Sequence, residues 1–367
     1  VPNLTRFLST MHQNNFDFMR LFAASIVVVG HAFPIMGIRQ PELLGNPISV
    51  FGVIIFFSIS GYLIAGSWTS DPSPFRFFLK RALRIFPALI VVVCITAFAL
   101  GPMESTLSTV DYFNNERTYN YLRNAGLYIV YDLPDVFGSN PIKSAVNGSL
   151  WSLPAEFFMY LLTPVILILA GRRRGSVYAA AATTFSCTAV YLTYFYSGPR
   201  LVIYATEVRA ACAMGAYFMA GSFFRVIEEK ITFDIRLVAL VLVAHAISTY
   251  WFDGWTRYLV GVTSAFSIPY VVLGIAKRST PVIRAAGSKG DFSYGLYLYA
   301  FPIQQSISAY FPDMNVWTSI ILAFTFTAPC AIGSWHLIEK RAMKAKRFAV
   351  TRMSAKAAPP EPTEAAR

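Results

Sequence analysis

The run Asp17 to Pro34, DFMRLFAASIVVVGHAFP, is apolar except for Asp17, Arg20 and His31, and it is long enough to cross a bilayer as a helix. A backbone in hydrocarbon must satisfy its own hydrogen bonds, which leaves helices and closed barrels, and a run of this length selects the helix. Nine more runs of helical length follow, the second at about 48–68, the third ending near Leu100, and the rest at about 150–170, 177–197, 208–225, 235–252, 256–276, 292–311 and 316–338. The expected fold is therefore all-α, a polytopic membrane helix bundle of about ten transmembrane helices. A content of 55% hydrophobic and 14% charged residues excludes an ordinary soluble domain.

Arg20 and His31 are eleven positions apart, so at about 100° per residue they share one helix face to within roughly 20°. At about 1.5 Å per residue they are separated by roughly 16 Å along the axis, half a hydrocarbon core. An Arg near a helix end snorkels to the headgroups, whereas an ionisable group at depth marks a site or a satisfied packing position.

The formal charge of +12 is a nucleic-acid signature only if it is clustered on one surface. Here it alternates. With ten spans and the N-terminus inside, 24 of the 31 Lys and Arg residues fall on the inner side and 7 on the outer, as the positive-inside rule requires. Both termini then face the cytoplasm, and no nucleic-acid partner is expected. An eleventh span at 121–137 would invert every later loop, so that stretch is read as interfacial. Segment 102–148, rich in Tyr and Asn, is expected outside as a small folded or interfacial region. Residues 346–367 read as a disordered cytoplasmic tail following a membrane domain of 1–345. The first span shows no cleavage site and is read as retained. No internal repeat is visible. Cys94, Cys187, Cys212 and Cys330 fall in apolar runs without metal-ligand spacing, so they read as packing residues and no metal is expected.

Two polar constellations remain. Arg20, with Lys80, Arg81 and Arg84 in the basic loop entering span three, can clamp a phosphorylated ligand, because Arg pairs bidentately with phosphate. Topogenic anchoring explains the same basic loop. The second constellation is NGSLWSLPAEFFMYLLTPV, Asn147 to Val165, where Glu156 lies about six residues into span four. That depth, roughly 9 Å below the outer surface, is similar to the 10–14 Å of His31, so a His–Glu general-base pair within about 10 Å facing a common cavity is expected. Pairing of Glu156 with Arg209 is the alternative. His245 and His336 read as packing histidines. No HExxH, Walker loop or GxSxG elbow occurs.

These residues carry a resemblance. The chain resembles the acyltransferase-3 family of integral membrane O-acyltransferases, whose hallmark of Arg or Lys, ten residues, then His on the first span matches Arg20 and His31. The likeness continues through FFSISGYLI, KRALRIFP, SLWSLPAEFFMY, VRAACAMGAYF and SYGLYLYAFP. Many members have a His where this chain has Ala300, so no catalytic role is assigned to span nine. The resemblance implies transfer of an acyl group, usually acetyl from cytoplasmic acetyl-CoA, to a hydroxyl of a cell-surface or exported glycan or a lipid-linked oligosaccharide, in a bacterial inner membrane. His31 and Glu156 are then the catalytic candidates, and Arg20, Lys80, Arg81 and Arg84 the donor-binding ones. A proton-linked carrier or flippase is the reading from a different class.

Overall fold

The computed structural model describes residues 14–143, 145–288 and 290–345, so the expected tail at 346–367 lies outside the described residues. Ten long helices dominate: α1 Phe16–Ile35, α2 Ile48–Ser70, α3 Pro74–Ile95, α4 Ser152–Leu169, α5 Arg174–Tyr194, α6 Val208–Val226, α7 Ile235–Trp251, α8 Thr256–Ala276, α9 Ser293–Tyr310 and α10 Val316–Ser334. Each coincides with one of the apolar runs. Six of them, α1, α2, α3 with its continuation to Glu104, α4 from Gly148, α8 and α10 with its continuation to Ala345, are long and apolar enough to cross a membrane. Residues 121–137 contain only a 3-10 turn, Tyr121–Gly126, and irregular chain. The four cysteines are unpaired.

The only strands among the described residues form two short antiparallel hairpins, β1 Glu42–Leu43 with β2 Asn46–Pro47 and β3 Val202–Ile203 with β4 Thr206–Glu207. They expose a repeat that the sequence reading missed. The succession α1, β1–β2, α2, α3 recurs as α5, β3–β4, α6, α7, displaced by 160 positions at the hairpins and at the start of α2, as from Glu42 to Val202, and by nearly the same elsewhere. The correspondence extends to single bonds. Ile48 N–H donates to Pro41 O at 3.0 Å, and Val208 N–H donates to Leu201 O at 2.9 Å. Each two-residue turn places both central residues at positive φ, Leu44 and Gly45 in one, Tyr204 and Ala205 in the other, the geometry that matches strand twist in tight hairpins.

The two copies meet along α2 and α6. A Cβ on Gly61 would lie 1.9 Å from Phe218 O, and one on Gly221 would lie 2.2 Å from Ser58 O. These contacts exchange under the same displacement, so the copies are related by an approximate two-fold. Ser222 Oγ donates across the seam to Gly61 O at 3.0 Å. Small residues at such a seam let backbones touch and replace the hydrophobic drive that lipid does not supply. The repeat was invisible in the sequence because lipid-facing positions accept any apolar residue, and few beyond the seam glycines coincide.

α1 is antiparallel to α2 and parallel to α9. Gly30 faces Ser49, Gly52 faces Ile26 and Val27, and the ring of Phe16 stacks on that of Tyr62 at 5.7 Å. On the α9 side, Ala24 and Leu296 share one cluster with Ala331, while Ser308 Oγ donates to Ile35 O at 3.0 Å. This register fixes the depth of every candidate residue.

Candidate active site

Arg20 stands on α1, one turn past the start of the helix. It lies 3.4 Å from Asp17 and 3.8 Å from Asp291. Arg84, on α3, donates to the same Asp291 carboxylate at 2.5 Å and reaches Glu339 at 3.4 Å. Burial alone would raise the Asp291 carboxyl, but the Arg84 and Arg20 charges and hydrogen bonds from Ser293 hold it at about 2. Glu339, 3% exposed, accepts from Ser334 Oγ at 3.0 Å in the π-turn Trp335–Glu339 that prolongs α10. Four elements are thus pinned together by charge beneath α1.

Lys80 and Arg81 precede Arg84 on α3. Lys80 pairs with Asp71 at 2.6 Å, and Arg76 donates to the same carboxylate at 2.5 Å. The Arg76 hydrogen bonds, opposed by partial burial and joined by Lys80, hold the Asp71 carboxyl at about 2. Arg81 donates one hydrogen bond, Nη2 to Ser67 Oγ at 3.3 Å, and its buried Nε has no partner among the described residues. A buried Nε–H without an acceptor is costly unless a ligand completes it.

All four basic residues line one cavity of about 530 Å³. Glu156 lines it too, accepting from Ser60 Oγ at 2.8 Å and from the Tyr160 hydroxyl one turn further along α4. Five of the six expected site residues therefore converge. The wall changes character along its length. Asp17, Arg20, Lys80, Arg81, Arg84 and Lys340 give one part a net positive charge, Ser60, Glu156 and Tyr160 form a polar girdle, and Val53, Phe56, Phe57 and Tyr297 close the rest.

The sixth, His31, is not part of that wall. Its ring packs edge-on against Phe301, with centroids 5.1 Å apart. The expected common layer for His31 and Glu156 is also corrected. Ser49 marks the His31 layer through Gly30, and Ser60, which holds Glu156, is eleven residues further along α2. At about 1.5 Å per residue, Glu156 lies roughly 16 Å away along the bundle, in the layer of Arg20. The depth arithmetic failed because Gly148–Trp151 is a 3-10 turn and the chain before it packs inward on α9. Asn147 Nδ2 donates to Leu298 O at 2.9 Å, which starts α4 well short of the end of α9 at Tyr310. Arg209 pairs with Glu207 at 2.8 Å, so it is not the partner of Glu156 either.

Sequence reasoning missed Asp291 and Tyr297. Asp291 is a lone acid after a basic loop, and only its meeting with Arg20 and Arg84 gives it meaning. Tyr297 sat unremarked inside SYGLYLYAFP. His245 is half-satisfied, its Nδ1 3.1 Å from Ser267 Oγ and its Nε2 without a partner among the described residues. No cluster suited to a metal ion occurs among the described residues. In the second copy of the repeat, the positions of Arg20, Ser60, Lys80, Arg81 and Arg84 are Ala180, Ala220, Leu240, Val241 and Ala244. The charges of this cavity are therefore not repeated at the equivalent positions.

The fold is a helical bundle with a cation-rich cavity and a His set apart from it. Comparison of the sequence with known proteins supplies the family. Residues 13–338 match the acyltransferase domain of the acyltransferase-3 family, and the chain belongs to that family. It is an acyltransferase, and one that transfers groups other than aminoacyl groups. It is 30% identical over 336 residues to an O-acetyl transferase of Shigella phage Sf6, a match covering 90% of this chain and 96% of that protein. It is 31% identical over 378 residues to nodulation protein 10 of Rhizobium leguminosarum bv. viciae, covering 94% of this chain and 97% of the relative. A peptidoglycan O-acetyltransferase, OatA of Listeria monocytogenes, is 25% identical over 317 residues, 75% of this chain and 48% of that protein. No solved structure matches the chain.

Proposed function

We propose that this enzyme moves an acyl group, acetyl above all, from acyl-CoA on the cytoplasmic side of a bacterial inner membrane to a hydroxyl of a glycan at the outer side. In this reading all ten long helices cross the membrane, both termini are cytoplasmic, and segment 102–148 lies outside, where it meets the acceptor. The observation that carries the donor assignment is the convergence of Arg20, Lys80, Arg81 and Arg84 on one cavity. Their charges suit the phosphates of CoA, and the free Nε of Arg81 offers a donor to a phosphate oxygen. The polar girdle and apolar wall beyond suit, in order, the amide-bearing arm and the short acyl group. The names of the relatives support acetyl as that group and a glycan as the acceptor.

His31 supplies the base. Its imidazole takes the proton of the acceptor hydroxyl as that oxygen attacks the thioester carbon, the carbon–sulfur bond breaks, and the departing thiolate collects a proton to leave as CoA thiol. An acyl-His relay is the variant in which Nε2 or Nδ1 carries the acyl group between the two sides. Glu156, distant from His31 along the bundle, serves the donor side of the reaction.

The parallel repeat gives a carrier some support, since many transporters are built from repeats. Apolar residues at the positions of Arg20, Lys80, Arg81 and Arg84 in the second copy remove the paired sites such a carrier would use. The deciding experiment incubates closed membrane vesicles containing the full chain with labelled acetyl-CoA and follows label into glycan. Incorporation that vanishes with His31→Ala supports the enzyme reading, and glycan movement without labelling overturns it.

A further inference from the structure

Tyr297 lines the donor cavity, and Phe301, four residues on along α9, packs edge-on against His31. The cavity thus stops about one helical turn short of the base that must act on its contents. Tyr297 is held across that gap from three directions. Its hydroxyl donates to Ser149 O at 2.5 Å, stands 2.6 Å from Ser152 Oγ, and its ring meets Phe56 edge-on with centroids 6.0 Å apart. Phe301 is equally confined, since a Cβ on Gly148 would fall 2.6 Å from its ring. The cavity-lining Tyr297 and the His31-packing Phe301 thus stand one helical turn apart on α9.

We propose that Tyr297 determines which nucleophile meets the donor thioester, holding the base and the thioester apart until an acceptor is in place. The inference rests on the donor reading given above. His31 activates any hydroxyl that reaches it, water included. In the unwanted reaction the water oxygen bonds to the thioester carbon, the carbon–sulfur bond breaks, one water proton passes to His31 and then to the thiolate, and the products are the free acid and CoA thiol. In the wanted reaction the acceptor oxygen forms that bond instead. The hydroxyl of this buried aromatic is latched to the turn that precedes α4. That latch ties Tyr297 to Ser149 and Ser152, at the end of the segment proposed to meet the acceptor. Movement of that segment on acceptor binding is thereby linked to movement of the ring.

The test uses the purified full chain with acetyl-CoA as the probe and reads thiol release without acceptor, alongside labelled acetyl incorporation into glycan of the source membranes. Tyr297→Ala is expected to raise acceptor-free thiol release about tenfold and to lower the acetyl groups transferred per thiol released. Tyr297→Phe keeps the ring and loses the latch, with a rise of about threefold. Adding His31→Ala to either variant returns release to background. If Tyr297→Ala fails to fold, Tyr297→Phe and Phe56→Ala carry the same reading. Thiol release in folded variants no faster than in the unsubstituted enzyme overturns the inference while leaving the donor assignment standing. An unsubstituted enzyme that transfers no label from acetyl-CoA overturns the donor assignment and this inference together.

Discussion

Glu156 accepts a hydrogen bond from Ser60 at 2.8 Å, and this contact sets the carboxylate in the layer of Arg20, roughly 16 Å along the bundle from His31. Buried carboxylates in an apolar bundle need such partners, and Ser60 and Tyr160 supply them from two helices. A Glu in that place lines the cavity of Arg20 and Arg81 and cannot hold the imidazole in one tautomer.

Glu156→Gln should therefore raise the KM for acetyl-CoA by about tenfold and leave the midpoint of the pH–rate profile where it was. The two hydroxyl partners can still bond the amide, so the fold should persist. Steady-state kinetics from pH 5 to 8 checks both parts. A displaced midpoint with unchanged KM would restore Glu156 as the partner of His31.

If His31 is the proposed general base, His31→Ala should lower turnover by about 10²–10⁴-fold, with the dissociation constant for acetyl-CoA unchanged, because His31 lies outside the cavity lined by Arg20 and Arg81. Label transfer and equilibrium binding on the same preparation separate the two effects. Wild-type turnover in a folded variant would remove His31 from the mechanism.

Arg20→Ala and Arg81→Ala should each weaken acetyl-CoA binding by about 1.5–3 kcal/mol, or roughly 10- to 150-fold, as expected for charge-assisted bonds to phosphate. Arg20→Lys should recover part of the loss by keeping the charge without the fork. Titration with CoA and with dephosphorylated CoA locates which phosphate each residue meets. Equal affinities across the series would rule out this cavity as the donor site.

Asp291 ties stability to pH. Its carboxyl is held at about 2 in the fold and returns to 3.8 when unfolded, so the native state favours the ionised form. The resulting stabilisation, on the order of 2 kcal/mol, is complete above pH 3.8 and is lost as pH falls toward 2. Thermal midpoints of the detergent-solubilised chain should be flat in this contribution from pH 7 to about 4.5 and fall below it. Asp291→Asn should lower the neutral-pH midpoint and flatten that fall. An identical acid limb in the variant would show that the network of Arg20 and Arg84 draws nothing from Asp291.

Gly61→Leu should break the seam between the two copies of the repeat, since even a Cβ would sit 1.9 Å from Phe218 O. Backbone cannot yield there as a flexible side chain would, so loss of folded protein is expected. Gly126→Ala, where nothing stands within 4 Å, is the matched control. Size-exclusion profiles of the two variants decide it.

The run of apolar segments determined the ten helices, because helix is the form in which a long apolar stretch satisfies its own backbone, and the structure reproduces each of them. The spacing of Arg20 and His31 on one helix was legible for the same local reason, and the basic cluster Lys80, Arg81 and Arg84 could be nominated from charge alone. Contacts between helices were not legible. The depth of Glu156 depends on where α4 begins, which is set by the bonds of Asn147, Ser149 and Ser152 to α9 rather than by counting from a predicted boundary. Asp291 and Tyr297 gained their roles only where Arg84 and the cavity end came to meet them. The repeat lay hidden because apolar residues substitute freely on a lipid-facing surface, so backbone geometry preserved what residue identity did not. Local physics wrote the helices and their charges, and only packing between helices decided which of those charges share a cavity and which lie apart from His31.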